Sequence, residues 1–179
     1  MEETTDEAGL VALAVAGDER AFAALVTPCQ SMLFAVCVRI CGNEADALDA
    51  TQDALVAAWK HLDRFDGRSR FSTWVYRIAH NAALMHVRRR RDLPGLPADA
   101  DPPAGGGSDR SDVVLTVRWA LRQLPDDFRG ALVLREYSDL SYAEIAAIQG
   151  VPENTVRSRI ARARRAMVRL LGEPAEGGQ

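Results

Sequence analysis

The side chains best equipped for covalent chemistry here are three cysteines, Cys29, Cys37 and Cys41, and three histidines, His61, His80 and His86. Cys37 and Cys41 stand one helical turn apart and could share a metal ion. Zinc takes about four ligands, however, and no second Cys/His pair follows at a suitable spacing. The thiols read instead as apolar core residues, and neither a metal nor any other cofactor is expected. No nucleophile, base and orienting acid fall into a recognisable arrangement, and the glycine run at 105–107 follows no strand that could make it a phosphate-cradling loop. An enzyme is therefore not expected. The remaining chemistry is that of charge: 22 basic residues, all arginine except Lys60, whose guanidinium groups suit phosphate and guanine.

A net charge of −3 conceals how those arginines are distributed. Residues 1–53 carry ten acids against two bases, and residues 54–91 reverse this with nine bases against two acids. Residues 92–112 are again acidic, and 113–179 are mildly basic. Such blocks point to separate surfaces for separate partners. A length of 179 residues with 47% apolar content suffices for one ordinary domain or two small ones. No apolar run approaches the roughly 20 residues that span a bilayer. The acidic start (Glu2, Glu3, Asp6, Glu7) is the opposite of a signal peptide's basic one, so a cytoplasmic protein without membrane insertion is expected.

The elements that must position these charges are helices. Apolar residues recur at three-and-four spacing with almost no strand signal, so the expected fold class is all-α, with two small helical domains at 8–91 and 112–172. Between them, 92–111 is a Pro/Gly/Asp-rich acidic stretch with too little apolar surface to offset the entropy of ordering, and it reads as a flexible linker.

In the second domain, Ser141-Tyr142-Ala143-Glu144 matches the S-x-x-E capping box. A short helix through Ile148 should follow, then a turn at Gly150, then a second helix with Pro152 at its first position. On that second helix Val156, Ile160, Ala163, Met167 and Leu170 form one apolar stripe. Ser158, Ala161, Arg162, Arg165 and Arg169 fall opposite, with Arg157 on the flank. A short helix, a glycine turn and a longer basic helix make a helix-turn-helix, whose free face suits phosphates and base edges in the major groove.

In the first domain, Asn43 should cap a helix from Glu44 to about His61. Its apolar side is expected to hold Ala47, Leu48, Thr51, Leu55, Ala58 and Leu62. Asp46, Asp49 and Asp53, with Gln52 adjacent, line the other side and offer a surface to a basic partner. After the loop Phe65–Arg70, a helix from about Phe71 to Arg90 should bury Phe71, Trp74, Val75, Ile78, Ala79 and Ala82. Its opposite face carries Thr73, Arg77, His80, Asn81, Arg88 and Arg91, flanked by Tyr76, with Leu84 as an odd apolar member. The run Arg88–Arg91 reads as a phosphate anchor.

Three stretches in this order resemble the sigma-70 family, in its compact extracytoplasmic-function (ECF) group, which keeps only regions 2 and 4. DALDATQDALVAAW (46–59) is similar to the region 2 helix that docks on RNA polymerase, RFDGRSRFSTWVYRIAHNAALMHVRRRR (64–91) to the promoter-melting and minus-ten segment, and residues 121–167 to region 4. The resemblance implies an alternative sigma factor that binds core RNA polymerase and promoter DNA without catalysis of its own. It implies that Asp46, Asp49, Gln52 and Asp53 meet the clamp helices of the largest polymerase subunit, and that region 4 meets the flap of the second-largest. Gly67, Arg68, Ser69, Arg70, Arg77, His80, Asn81, Arg88 and Arg91 would bind the opened minus-ten strand. Ser141, Asn154, Thr155, Arg157, Ser158, Ala161, Arg162 and Arg165 would serve the minus-thirty-five element. An anti-sigma factor is a further implied partner. Leu48, Ala50, Asp53, Met85 and Asn154 depart from the family's usual residues. An autonomous helix-turn-helix regulator and a polymerase-binding decoy are the rival readings.

Overall fold

The computed structural model describes residues 7–92 and 110–172. Glu2, Glu3 and Asp6, nearly all of the linker expected at 92–111, and the tail beyond Gly172 lie outside the described residues. Within them the chain is helical, without a strand: α1 (Glu7–Val15), α2 (Glu19–Val26), α3 (Gln30–Cys41), α4 (Glu44–Lys60), a 3-10 turn (Leu62–Arg64), α5 (Phe71–Arg91), α6 (Arg110–Arg122), α7 (Asp126–Tyr137), α8 (Tyr142–Gln149) and α9 (Glu153–Gly172). None of these helices is long and apolar enough by itself to cross a membrane.

The helix ends follow from local chemistry. The Asp18 carboxylate accepts from the N–H groups of Arg20 and Ala21 and starts α2. Gly42 closes α3 at φ 79°, and Asn43 starts α4 by accepting from Asp46 N–H. Arg70 gives α5 no cap of its own; the free Phe71 N–H instead donates to Glu7 Oε1 of α1 at 3.0 Å. A carboxylate at a helix N-terminus also complements the helix dipole. The acidic start of the described chain thus has a structural task at Glu7.

Helices α3, α4 and α5 form the N-terminal core. The buried stripe of α4 is Ala47, Ala50, Ala54 and Ala58, small side chains that let α3 and α5 approach closely. This corrects the expected apolar side: Leu48 is 60% exposed, and Ala50 takes the inward place. An aromatic cluster of Phe22, Trp59, Phe65, Phe71 and Trp74, with neighbouring rings 5.1–6.2 Å apart, seals one end. Phe71 and Trp74 are therefore core residues, as their spacing indicates. Cys29, Cys37 and Cys41 are free and buried. Burial pushes the Cys37 thiol up to about 11 and that of Cys41 up to about 12, which keeps both protonated and unreactive.

In the C-terminal unit α8 and α9 pack on α7. The Ser141–Glu144 capping box forms in both directions, and Gly150 turns the chain at φ 65°. Helix α9 begins at Glu153, one residue later than expected, with the Pro152 carbonyl accepting from Thr155 and Val156 N–H. Val156, Ile160 and Ala163 are buried, and Met167 and Leu170 pack at the margin. Arg159 is spent internally, donating to Gln149 Oε1 and Asp127 Oδ2, both at 2.8 Å.

The two units also pack on each other, chiefly α7 and α6 against α3. The Arg39 guanidinium lies over the Tyr137 ring, 3.7 Å from its centroid. Arg122 crosses Gly42 so closely that a Cβ there would lie 2.3 Å from its Cδ. Gly130 sits in mid-α7, where glycine costs about 1 kcal/mol relative to alanine. Its reason is close approach, since a Cβ at Gly130 would lie 2.4 Å from His80 Nε2.

Candidate nucleic-acid interface

Three surfaces carry the charge pattern. The first is the outward face of α4. Asp49 and Gln52 are exposed, and no hydrogen bond or ion pair engages the Asp49 carboxylate among the described residues. Asp46 is held by Asn43 Nδ2 at 2.6 Å and Arg90 Nη1 at 3.0 Å. Desolvation is the largest influence on Asp46 and opposes its ionisation, yet Asn43, Arg90 and His86 together hold the carboxyl below its usual range. Asp53 meets His86 Nε2 at 2.9 Å, an ion pair when that histidine is protonated. The acidic stripe is therefore partly neutralised by α5, and Asp49 is its free charge.

The second surface is the groove between α4 and α5, a cavity of about 700 Å³. Lys60, His61, Arg64, Arg77 and Asn81 supply its polar lining with Asp53 at the edge, and Trp74, Ile78 and Met85 stand in its apolar wall. The loop before α5 lies fully open at Gly67 (φ 69°), Arg68 and Arg70, with Ser69 half-buried. Arg68 pairs with Asp66 at the surface. A groove combining cationic edges with a flat apolar wall can hold an unstacked base while phosphates meet arginine. Lys60 and Arg64 were not among the residues singled out from sequence, because they belong to the preceding helix and turn and only the fold brings them opposite Arg77.

The other side of α5 departs from expectation. Thr73, Tyr76, His80 and Leu84 are all buried, with His80 only 3% exposed. Part of this face is covered by the C-terminal unit. Thr73 Oγ1 donates to Glu144 Oε1 of α8 at 3.2 Å, and His80 lies against Gly130. Arg91 meets Asp126 at 2.9 Å. Leu84, the odd apolar member, lines a cavity of about 390 Å³ together with Ile148 of α8, which accounts for its presence on a polar face. Arg88 remains exposed at the rim of that cavity. The polar residues expected to share one open surface are thus divided: Arg77 and Asn81 line the open groove, while His80 and Arg91 are engaged at the seam.

Buried beside the seam is Arg129, which sequence reasoning missed. It is 3% exposed, pairs with Asp126 Oδ1 at 2.6 Å and shares that carboxylate with Arg91. An arginine next to two aspartates near a helix start looks like ordinary surface charge, and nothing in its spacing distinguishes it. Burial lowers the pKa of Arg129, opposed by Asp126.

The third surface is the outward face of α9. Asn154, Arg157, Ser158, Ala161, Arg162 and Arg165 are exposed, and Thr155 is half-buried. Ser141 stands exposed at the start of α8, its hydroxyl occupied by Glu144. Arg157 pairs with Glu153 and stacks over the Tyr142 ring, 4.7 Å from its centroid. Arg164 pairs with Glu136 of α7. Arg162, Arg165 and Arg169 make no ion pair among the described residues. A helix that buries one stripe and frees arginines on the other has the form of a major-groove recognition helix.

An acidic helix face, a groove with cationic edges and a helix-turn-helix thus stand together in one chain. Comparison with known families agrees: residues 25–92 match Sigma-70 region 2, and residues 116–167 match Sigma-70, region 4. The RNA polymerase sigma-H factor of Pseudomonas aeruginosa is 38% identical, the match covering 87% of this chain and 88% of that one. The ECF RNA polymerase sigma-E factor of Escherichia coli is also 38% identical, with 93% and 94% covered. SigW, an ECF factor of Bacillus subtilis, is 32% identical over 87% and 91%. Among solved structures, CnrH in complex with the cytosolic domain of CnrY matches with a TM-score of 0.71 at 32% identity, covering 91% of this chain and 95% of that one. RpoE in complex with the anti-sigma factor NepR from Bartonella quintana matches at 0.67 and 29%, covering 82% and 94%. The chain belongs to the sigma-70 family of RNA polymerase sigma factors, in its ECF group. It is an alternative sigma factor.

Proposed function

We propose that the chain works in the cytoplasm as a promoter-selecting subunit whose whole contribution is binding, without catalysis of its own. Residues 8–91 form region 2, 92–111 the connecting linker and 112–172 region 4. Asp46, Asp49, Gln52 and Asp53 dock on the clamp helices of the largest polymerase subunit, with Asp49 as the leading charge. Region 4 meets the flap of the second-largest subunit. The loop Gly67–Arg70 and the groove residues Arg77 and Asn81 hold the unpaired minus-ten strand, with the exposed Arg88 beside them and His80 and Arg91 completing the set. Melting follows from preferential capture of that strand, a population shift rather than a chemical step. Arg157, Ser158, Arg162 and their neighbours read the minus-thirty-five element, with Ala161 free to touch a thymine methyl.

The observation that carries this reading is the pair of separate basic surfaces, one groove-like and one helical, on two helical units. Docking on polymerase fixes their spacing and makes recognition bivalent. An anti-sigma partner is part of the proposal, supported by the similarity to RpoE, solved in complex with the anti-sigma factor NepR, and it is expected to cover these same faces; a complex leaving the α4 stripe and both DNA faces accessible would count against it. The test adds the protein to core RNA polymerase on a genomic DNA library, with and without Arg157→Ala/Arg162→Ala. New transcripts sharing one upstream motif, lost in the double variant, are expected. Absence of polymerase binding by folded protein would reverse the reading in favour of an autonomous regulator.

A further inference from the structure

We infer that Glu7 is a positioning residue for promoter melting: from α1 it holds the start of α5, and with it the loop Gly67–Arg70, in the shape that captures the unpaired minus-ten strand. The inference rests on the sigma-factor reading above. Three observations carry it. Arg70 stands at the N-cap of α5 without a side-chain cap, so the opening N–H groups of that helix need acceptors from elsewhere. Glu7 Oε1 supplies one, accepting from Phe71 N–H at 3.0 Å across 64 residues of sequence. Helix α1 also packs on the 3-10 turn Leu62–Arg64, which carries the groove residue Arg64. One helix thus braces both ends of the loop.

Between those braces the loop has little to hold it. Phe65 is anchored, its ring 6.0 Å from that of Phe71 and 5.5 Å from that of Trp74. Beyond it Gly67 turns at φ 69° with open space where a Cβ would lie, and Asp66 accepts from Arg68 N–H at 3.1 Å. Arg68 and Arg70 are exposed, so their direction depends on where α5 begins. A frayed first turn would lengthen the loop, and a strand that must order a loop before binding it binds more weakly. Core packing accounts for little of α1, which fully buries Ala14 alone. Charge gives the inference a sign. A bystander acid beside a nucleic-acid surface repels phosphates, so its removal should tighten strand binding. Removal of a positioning acid should weaken it.

The test uses the full chain assembled with core polymerase, and a fluorescent single strand carrying the non-template minus-ten sequence of a promoter found in the transcript experiment above. Glu7→Ala should weaken capture of that strand by about 2- to 30-fold, the range that corresponds to losing a helix cap. Glu7→Gln keeps an acceptor at the same reach without the charge, and should bind as tightly as the parent or tighter. Binding of a minus-thirty-five duplex should be unchanged in both. Glu19→Ala, which removes an exposed acid from the first turn of α2, controls for charge alone and should not weaken capture. Amide exchange of the free chain reads the cap directly: Phe71 N–H should exchange faster in Glu7→Ala and near the parent rate in Glu7→Gln. Strand capture that is undiminished in Glu7→Ala, unrescued in Glu7→Gln or lost together with minus-thirty-five binding would each overturn the inference, as would unchanged exchange at Phe71. If the parent holoenzyme captures no strand at all, the sigma reading itself fails, and faster exchange then leaves Glu7 as a structural cap only.

Discussion

Arg157 and Arg162 stand on the same exposed face of α9, yet their surroundings predict different costs when each is truncated to alanine. A good bidentate contact from arginine to guanine discriminates by about 1–3 kcal/mol. Arg162 has no ion pair to surrender, so Arg162→Ala should cost that full amount, about 5- to 150-fold in affinity for the correct site. Arg157 starts from the Glu153 carboxylate and the Tyr142 ring. An exposed i,i+4 pair is worth about 0.3–0.5 kcal/mol and an exposed cation–π contact about 0.5–1 kcal/mol. Leaving both to reach a base offsets much of the gain, so Arg157→Ala should cost only about 0–2 kcal/mol. Arg164→Ala, whose charge is tied to Glu136 on α7, should leave sequence preference unchanged. The assay is fluorescence anisotropy on a duplex selected for region 4 binding, over a salt series. A lost phosphate contact flattens the salt slope, whereas a lost base contact relaxes preference at one position. If Arg157→Ala proves costlier than Arg162→Ala, or Arg164→Ala changes sequence preference, the assignment of the reading face from ion pairing is wrong.

Three further outcomes follow from the same structure. His80 is held below its usual 6.5 chiefly by burial, with Asn81 and Asp127 opposing and Arg88 assisting. The folded chain therefore binds fewer protons than the unfolded one below that pH. Its stability is complete above 6.5 and is lost as the pH falls through the depressed value. Thermal unfolding followed between about pH 7.5 and 5.5 should show a midpoint that falls on acidification, and His80→Gln should reduce that dependence. Glu144 is also held below its usual 4.5, with the Ser141 and Thr73 hydrogen bonds prevailing over desolvation, so its loss falls at lower pH and does not confuse the reading. Asp49→Asn should leave thermal stability within about 0.5 kcal/mol yet weaken core polymerase binding by about 5-fold or more; equal binding would remove Asp49 from the docking surface. Ile145→Ala, at a fully buried site between α8 and its neighbours, should cost about 2–5 kcal/mol, and a denaturant titration showing less than 1 kcal/mol would place that core elsewhere.

The helix-turn-helix was legible because its signals are local. Ser141 and Glu144 cap within four residues, Gly150 turns, and the α9 stripe repeats at helical spacing. The α4 and α5 boundaries were legible for the same reason, through Asn43 and the break at Asp66-Gly67. What could not be read were contacts between segments far apart in sequence. Glu7 capping α5, Lys60 and Arg64 facing Arg77, and Asp126 shared by Arg91 and Arg129 all join residues that periodicity treats as independent. Leu48 was misplaced because an apolar residue at the stripe's edge was counted inward, whereas the alanines of α4 set how closely its neighbours approach.

The polar side of α5 raises a deeper difficulty. Periodicity separates an apolar face that packs from a polar face that does not, and it assigns the polar face to solvent or ligand. A face that packs through polar side chains on another unit of the same chain fits neither description alone. Interfaces between domains are more polar than permanent cores, because each surface must also tolerate water when apart. Thr73 and Arg91 have that character, hydrogen-bonding across the seam to Glu144 and Asp126, whereas His80 bonds only to Asn81 of its own helix and its Nε2 is buried without a hydrogen-bond partner among the described residues. The sequence signature of a DNA face and of a polar seam between units is therefore the same, and Gly130 and Leu84 break the degeneracy. A glycine in mid-helix without a turn to make, and a leucine among arginines, serve no contact with DNA. Both are explained by the helices of region 4 lying against α5.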